Sequence, residues 1–204
     1  MSEAGETLAG VAIGYLIGTF PSADLITRLA TRGRVNIRET GSGNPGGLNS
    51  MRVLGRRWGV VVIVLDALKG ALAGGVGLLI GDAAAYAAAT AAIAGHVWPV
   101  WTRFRGGRGV ASAGGSFATV FPPFFVLGAV VGGVLALVTR SAGLTVRLIC
   151  PVWVAAAAIW WGVDLSNWWG PEVGPGLLVY AVLGSLIVLS RFRPSVRTDD
   201  GSSL

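Results

Sequence analysis

The alternation of basic residues along a run of apolar segments constrains this chain more than any other feature. Read with a window of roughly one bilayer crossing, about 20 residues, apolar stretches fall at 8–27, 58–80, 84–101, 109–121, 123–139, 144–161 and 175–190. Arg28, Arg32, Arg34, Arg38, Arg52, Arg56 and Arg57 lie between the first two. Arg103, Arg105 and Arg108 follow the third, Arg140 and Arg147 flank the join of the fifth and sixth, and Arg191, Arg193 and Arg197 follow the seventh. The intervening connections carry Asp82, Pro122-Pro123, Asp164 and Glu172, with no Lys or Arg. Cytoplasmic connections concentrate Lys and Arg, and backbone in lipid must satisfy its own hydrogen bonds, which makes spans helical. The pattern predicts an all-α integral membrane protein, a seven-transmembrane-helix bundle with its N-terminus outside and its C-terminus cytoplasmic. Pro122-Pro123 leaves one competing arrangement, a single kinked helix over 109–139. That would give six spans and put the last two basic groups on the wrong side.

Composition agrees. Charged residues are 13% of the chain, against about 25% in soluble domains, and the mean hydropathy is +0.68. The net charge of +6 does not indicate nucleic acid, because the bases sit beside apolar segments, where orientation signals and lipid headgroup contacts belong. A single histidine and a single cysteine, Cys150, give no metal-ligand set and no intrachain disulfide. The 32 glycines suit closely packed membrane helices. The first apolar stretch lacks a basic leader and a small-residue cleavage pattern, so it reads as a span. Of the tryptophans 153, 160, 161, 168 and 169, Trp153 falls too deep for an outer interfacial belt and reads as buried or lipid-facing. One domain is expected over 1–197, with a flexible polar tail at 198–204.

Two glycine–arginine segments carry the chemistry. The first runs Gly41-Ser42-Gly43-Asn44-Pro45-Gly46-Gly47-Leu48-Asn49-Ser50-Met51-Arg52. Glycines let several backbone N–H groups aim at one anion. Ser42, Asn44 and Asn49 add side-chain hydrogen bonds, and Arg52 adds a guanidinium fork suited to phosphate. The second is Arg103-Phe104-Arg105-Gly106-Gly107-Arg108-Gly109, which opens an apolar helix whose N-terminus favours negative charge. Both fall on the cytoplasmic side. His96 lies just before the second segment, as a general base, a phosphate contact or a histidine bonded to helix backbone. Asp66 and Lys69 are three residues apart on one helix face, where they can pair and must turn inward from lipid. Asp24 invites the same two readings, structural pair or part of the site. Arg191, Arg193 and Arg197 form a basic exit that either touches anionic lipid or closes the site.

These residues resemble the bacterial acyl-phosphate-dependent glycerol-3-phosphate acyltransferase family, PlsY. Its first motif, close to G-S-G-N-x-G-x-T-N-x-x-R, is matched by Gly41 to Arg52. G-H-x-x-P-V followed by F-K-G-G-K-G-V-A is matched from Gly95, His96, Pro99 and Val100 to Phe104 through Ala111. L-D-x-L-K-G is matched by Leu65, Asp66, Leu68, Lys69 and Gly70, and G-x-x-P-x-x-x-L-I by Gly18, Pro21, Leu25 and Ile26. The chain departs from the pattern at Leu48 for threonine and Arg108 for lysine. A serine pair is replaced around Gly143 and Val146, and Phe192, Pro194 and Ser195 stand where the family has an H-x-E-N tail.

The resemblance implies a seven-span enzyme of the bacterial plasma membrane, with its site facing the cytoplasm. The implied reaction moves an acyl group from acyl phosphate to the 1-hydroxyl of glycerol 3-phosphate, giving lysophosphatidic acid. Substrates and membrane lipids are the only partners implied, with no cofactor. The expected catalytic set is Ser42, Arg52, His96 and Arg108. Gly41, Gly43, Asn44, Gly46, Gly47, Asn49, Gly106, Gly107, Gly109 and Ser195 are expected to bind substrate. Ser42, Asn44 and the first-loop N–H groups would take the acyl-phosphate end, and Arg52 and Arg108 the acceptor phosphate. The proton would go to His96 or, as the family favours, to the donor's own phosphate. A non-catalytic lipid- or phosphate-binding relative is the alternative, with an organic-anion transporter behind it.

Overall fold

The computed structural model describes residues 2–192. Within them the chain forms α1 (Glu3–Gly18), α2 (Ser22–Thr31), α3 (Gly47–Leu54), α4 (Arg56–Leu78) and α5 (Asp82–Val97). A 3-10 turn (Val100–Thr102) is followed by α6 (Val110–Val120), α7 (Pro122–Thr139), α8 (Ala142–Gly162) and α9 (Pro175–Leu189). Four stretches are long and apolar enough to cross a membrane: Glu3–Thr31, Arg56–Leu78, Pro122–Thr139 and Ala142–Gly162. Val110–Val120 and Pro175–Leu189 are apolar but shorter. An 11-residue helix such as α6 rises only about 16 Å, roughly half the hydrocarbon thickness.

One expected segment is divided. The continuous span at 8–27 is broken, because Pro21 has no N–H and its ring would strike the preceding turn. The backbone at Pro21 (φ −87°, ψ 66°) leaves the helix, and α2 starts afresh. At 109–139 the two-helix reading holds. Phe121 turns out of the helical region (φ −147°, ψ 63°), and Pro122 begins α7, where a missing N–H costs nothing. Residues 47–54, expected as loop, form α3, which packs on α4 through Gly47 against Ile63 and Gly59 against Met51.

Small-residue seams hold the bundle. On α1, Gly10, Gly14 and Gly18 lie directly against the backbone of Ala84, Ala88 and Ala92 on α5. The pairs advance together, so the two helices run parallel. On α4, Gly70 and Gly74 meet α6 at Ser112 and Thr119, and Gly115 of α6 meets the backbone of Ala67. Between lipid-surrounded helices, close backbone contact of this kind replaces the hydrophobic drive that water would supply. The other half of the core is aromatic. Phe117 packs edge-on against Phe124, Trp153 and Tyr180, and the Ser116 and Tyr180 hydroxyls are 2.6 Å apart. Trp153 belongs to this core, at 3% exposure.

The two ends of the bundle differ in charge. At one end Tyr86 donates to the Glu172 carbonyl (3.0 Å) and Asn167 to those of Val120 and Pro171 (3.1 and 2.8 Å). Asp82, the first residue of α5, lies here with Asp164 and Glu172 of the α8–α9 connection. The other end gathers residues 32–57, 98–109, 140–141 and 190–192, and with them the described connection arginines.

Replacing Gly14 by valine would drive a side chain into the Ala88 backbone. Overpacking costs about 1–3 kcal/mol, so Gly14→Val is expected to lower the thermal midpoint of the detergent-solubilised protein by several degrees. Gly133→Ala, inside α7 where an added Cβ meets nothing within 4 Å, should hold or raise the midpoint, because alanine favours the helix.

Candidate active site

The floor of the site is a buried ionic cluster. Asp66 on α4 accepts from Lys69 Nζ at 3.0 Å, and its Oδ1 lies 3.5 Å from His96 Nδ1 on α5. All three are under 8% exposed. Lys69 also donates to the Phe20 carbonyl at 3.0 Å, in the break between α1 and α2. The cluster thus joins three elements. Asp24 is bound elsewhere: Arg38 grips it with two bonds of 2.6 and 2.7 Å and donates a third to the Arg105 carbonyl. This fastens α2 to the second glycine–arginine segment.

The first glycine loop is shaped from within. Asn49 is 2% exposed. Its amide donates to the carbonyls of Ile37 (3.1 Å) and Thr40 (3.0 Å), and its oxygen accepts from Ser42 N (2.8 Å). Asn49 therefore clamps the loop; its polar groups are occupied and not available to a substrate. Gly41 and Gly43 adopt positive φ (65° and 69°), which the tight turn over Asn49 requires. Three N–H groups expected to cradle an anion are also taken. Ser42 N meets Asn49, Gly43 N donates to Thr40 O, and Gly46 N donates to Asn44 O. Gly47 serves as a packing contact with Ile63. The donors left include the N–H of Asn44 and the first N–H groups of α3, whose N-cap, Gly46, supplies no side-chain bond.

The second segment behaves the same way. Gly106 N and Gly107 N donate to the carbonyls of Val97 and His96 (3.0 and 3.1 Å), so these N–H groups close the C-terminal end of α5 and are not free for an anion. Gly107 also lies against His96 Nε2. Gly109 turns at φ 81° and starts α6, again with no side-chain cap. Helix N-termini carry unsatisfied N–H groups and partial positive charge.

Both uncapped N-termini open on one cavity of about 550 Å³. Ser42, Asn44 and Arg52 line it from the first loop and α3, Arg108 and Gly109 from the second segment, and His96 and Asp66 from below. Its remaining wall is Ile63, Ala136, Val146 and Phe192, with Arg140, Ser141 and Thr145 at the α7–α8 join. A second, open cavity of about 720 Å³ adjoins it, lined by Arg38, Arg103, Arg105 and Arg191, and shares Ser42, Asn44 and Arg108 with the first. The two segments thus meet on one side of the bundle. Among the described residues, neither Arg52 nor Arg108 has an ion-pair partner. Ser195, Arg193 and Arg197 lie outside the described residues. Spacing alone does not point to Arg140, Ser141 and Thr145 as site residues, which the α7–α8 turn brings to the cavity, or to Phe192 as cavity wall. The arrangement can hold anionic groups beside an apolar chain at the membrane surface.

The family described as glycerol-3-phosphate acyltransferase matches residues 8–198. The chain is 39% identical over 186 residues to a glycerol-3-phosphate acyltransferase of Syntrophotalea carbinolica, covering 90% of this chain and 88% of that one. It is 38% identical over 140 residues to that of Rhizobium meliloti, covering 69% and 68%. Two crystal structures of PlsY, an integral membrane glycerol 3-phosphate acyltransferase, superpose with 28% identity. The glycerol 3-phosphate form gives a TM-score of 0.71, covering 91% of this chain and 87% of that one. The lysophosphatidic acid form gives 0.73, covering 92% and 88%.

Two stability outcomes follow from the buried polar groups. Lys69→Met strands the Asp66 carboxylate and is expected to cost about 3–5 kcal/mol, while Asp66→Asn with Lys69→Met should recover most of that loss in thermal melts. Asn49→Ala removes the loop's clamp and should cost about 1–3 kcal/mol. It should also speed proteolytic nicking between residues 40 and 46, read by mass spectrometry.

Proposed function

The chain belongs to the glycerol-3-phosphate acyltransferase family, and we propose that it transfers an acyl group from acyl phosphate to the 1-hydroxyl of glycerol 3-phosphate, making lysophosphatidic acid for phospholipid synthesis. The observation that carries the donor assignment is the amphiphilic cavity. Arginines and two bare helix N-termini share its lining with the apolar side chains of Ile63, Ala136 and Val146. An acyl phosphate has that shape, a dianionic head on a hydrocarbon tail.

In this reading Ser42, Asn44 and the N-terminus of α3 hold the donor's phosphate, and Arg52 and Arg108 neutralise the acceptor's. The α6 N-terminus faces the carbonyl oxygen as it gains charge. The hydroxyl oxygen of glycerol 3-phosphate attacks the acyl carbon, the bond from that carbon to the phosphate oxygen breaks, and inorganic phosphate leaves with the electron pair. Phosphate itself takes the hydroxyl proton. His96 suits this division of labour poorly as a base, since it is 7% exposed, faces Asp66 through Nδ1 and has Gly107 against Nε2. It braces the second segment instead. The reaction so written balances without metal, coenzyme or nucleotide.

The same reading sets the chain in the bacterial plasma membrane with seven crossings: α1 with α2, then α4, α5, α6, α7, α8 and α9. The N-terminus is outside, and the arginine-rich end faces the cytoplasm, where glycerol 3-phosphate is dissolved. The collection of the described connection arginines at one end supports it.

Purified protein given palmitoyl phosphate and glycerol 3-phosphate is expected to form lysophosphatidic acid, detected by mass spectrometry. Each of Arg52→Ala and Arg108→Ala removes a charged hydrogen-bond partner, worth about 1.5–3 kcal/mol. Each should lower kcat/KM for glycerol 3-phosphate by about 10- to 100-fold. No lysophosphatidic acid from the intact protein would end the assignment.

A further inference from the structure

Arg108 sits at the entrance to α6 without any polar partner to aim it. Among the described residues its guanidinium makes no hydrogen bond to protein and no ion pair. It does have an aromatic neighbour: Arg108 Cζ lies 4.8 Å from the centre of the Phe192 ring, inside the roughly 6 Å over which a ring face attracts a cation. Both residues line the 550 Å³ cavity.

The ring is a fixed platform. Phe192 is 9% exposed. Its N–H donates to the Leu189 carbonyl at 2.9 Å, and its own carbonyl accepts from Arg147 Nη2 on α8 at 3.0 Å. The preceding residue is tied as well, with Arg191 Nη2 donating to the Gly106 carbonyl at 3.3 Å. Gly143 lies beside the ring, where an added Cβ would make ordinary contact at 3.7 Å from Phe192 Cδ1. The end of α9 is thereby bound both to α8 and to the segment that carries Arg108.

We propose that Phe192 is a positioning residue that holds the Arg108 guanidinium over its ring and so presents the guanidinium's N–H edge to the acceptor phosphate. A guanidinium stacks by its face and keeps its five in-plane donors for an oxyanion, whereas an ammonium is a compact, strongly hydrated charge with no face to stack. The arginine at 108 and the phenylalanine at 192, two departures from the family pattern, are then one paired change. Arg108 without the ring samples many rotamers, and the cost falls on binding of the acceptor. This inference rests on the reading of the cavity as the glycerol 3-phosphate site.

The test is a double-mutant cycle read by calorimetric titration of glycerol 3-phosphate into the full chain in detergent, with kcat and KM measured in parallel. Phe192→Leu is expected to weaken binding by about 3- to 10-fold, in line with a partly desolvated cation–π contact, and to raise KM while sparing kcat. Phe192→Trp should bind as the native protein does. In an Arg108→Ala background, Phe192→Leu should weaken binding no further. Phe192→Met, which keeps bulk without a ring face, replaces Phe192→Leu if thermal melts show that variant unfolded. Native affinity in the leucine or methionine variant would overturn the inference, as would full multiplication of the two losses in the double mutant. Those results leave the reaction intact. Tight glycerol 3-phosphate binding by the native chain with no lysophosphatidic acid formed would instead remove the reaction and leave the Arg108–Phe192 contact standing.

Discussion

The carboxylate of Asp66 is the interaction on which the site stands. A charge inside a helical bundle in lipid is tolerated only when it is paired and its partners are themselves satisfied. Lys69 supplies the pair and extends to the Phe20 carbonyl, which the break at Pro21 leaves outside a regular helix. His96 closes the third side. One acidic group therefore fixes the depth of α4 against the α1–α2 break and against the end of α5. The glycine seams make this possible. Only where Gly14 and Gly18 let α1 lie on the backbone of Ala88 and Ala92 can the three elements approach closely enough for one carboxylate to join them.

Above that floor, the two glycine–arginine segments divide their labour differently from the way soluble phosphate loops suggest. Their glycines mostly serve the protein. Gly41 and Gly43 turn the chain around Asn49, Gly47 packs on α4, and Gly106 and Gly107 finish α5. What remains free includes the Asn44 N–H and the backbone at the starts of α3 and α6, neither with a side-chain cap. The N-terminus of α6 and the irregular backbone before it line a cavity, the setting in which non-helical backbone is tolerated at membrane depth. The field of the helix N-terminus is then screened less than it would be in water.

Much of this was legible in the chain and some was not, for identifiable reasons. The apolar segments, the helix break at Pro122 and the inward-facing Asp66–Lys69 pair follow from the rules that lipid imposes on polar groups, and those rules are local enough to read. That both segments would reach one cavity could be inferred from the side of the membrane on which the arginines fall. Which donors would be free could not. The hydrogen bonds of Asn49 reach to Ile37 and Thr40, and their direction depends on a turn that composition does not specify. The α1 break was missed because a hydropathy window averages over Pro21. Phe192 read as a lost imidazole, and only its place beside Arg108 gives it a role.

The arrangement also explains how a membrane protein with so few polar side chains at depth can host acyl transfer. Ser42 has no imidazole positioned to deprotonate it, since His96 points one ring nitrogen at Asp66 and the other at Gly107. No covalent relay of the serine–histidine kind is built here. The proposed acyl-phosphate donor makes one unnecessary, because its leaving group is already a stable anion. What limits the reaction is bringing two mutually repelling anions within reach and stabilising the charge that gathers on the carbonyl oxygen. Fixed cations and bare helix N-termini do both without reorganising, provided the guanidiniums are held still. The aromatic wall beside Arg108 acts on that requirement.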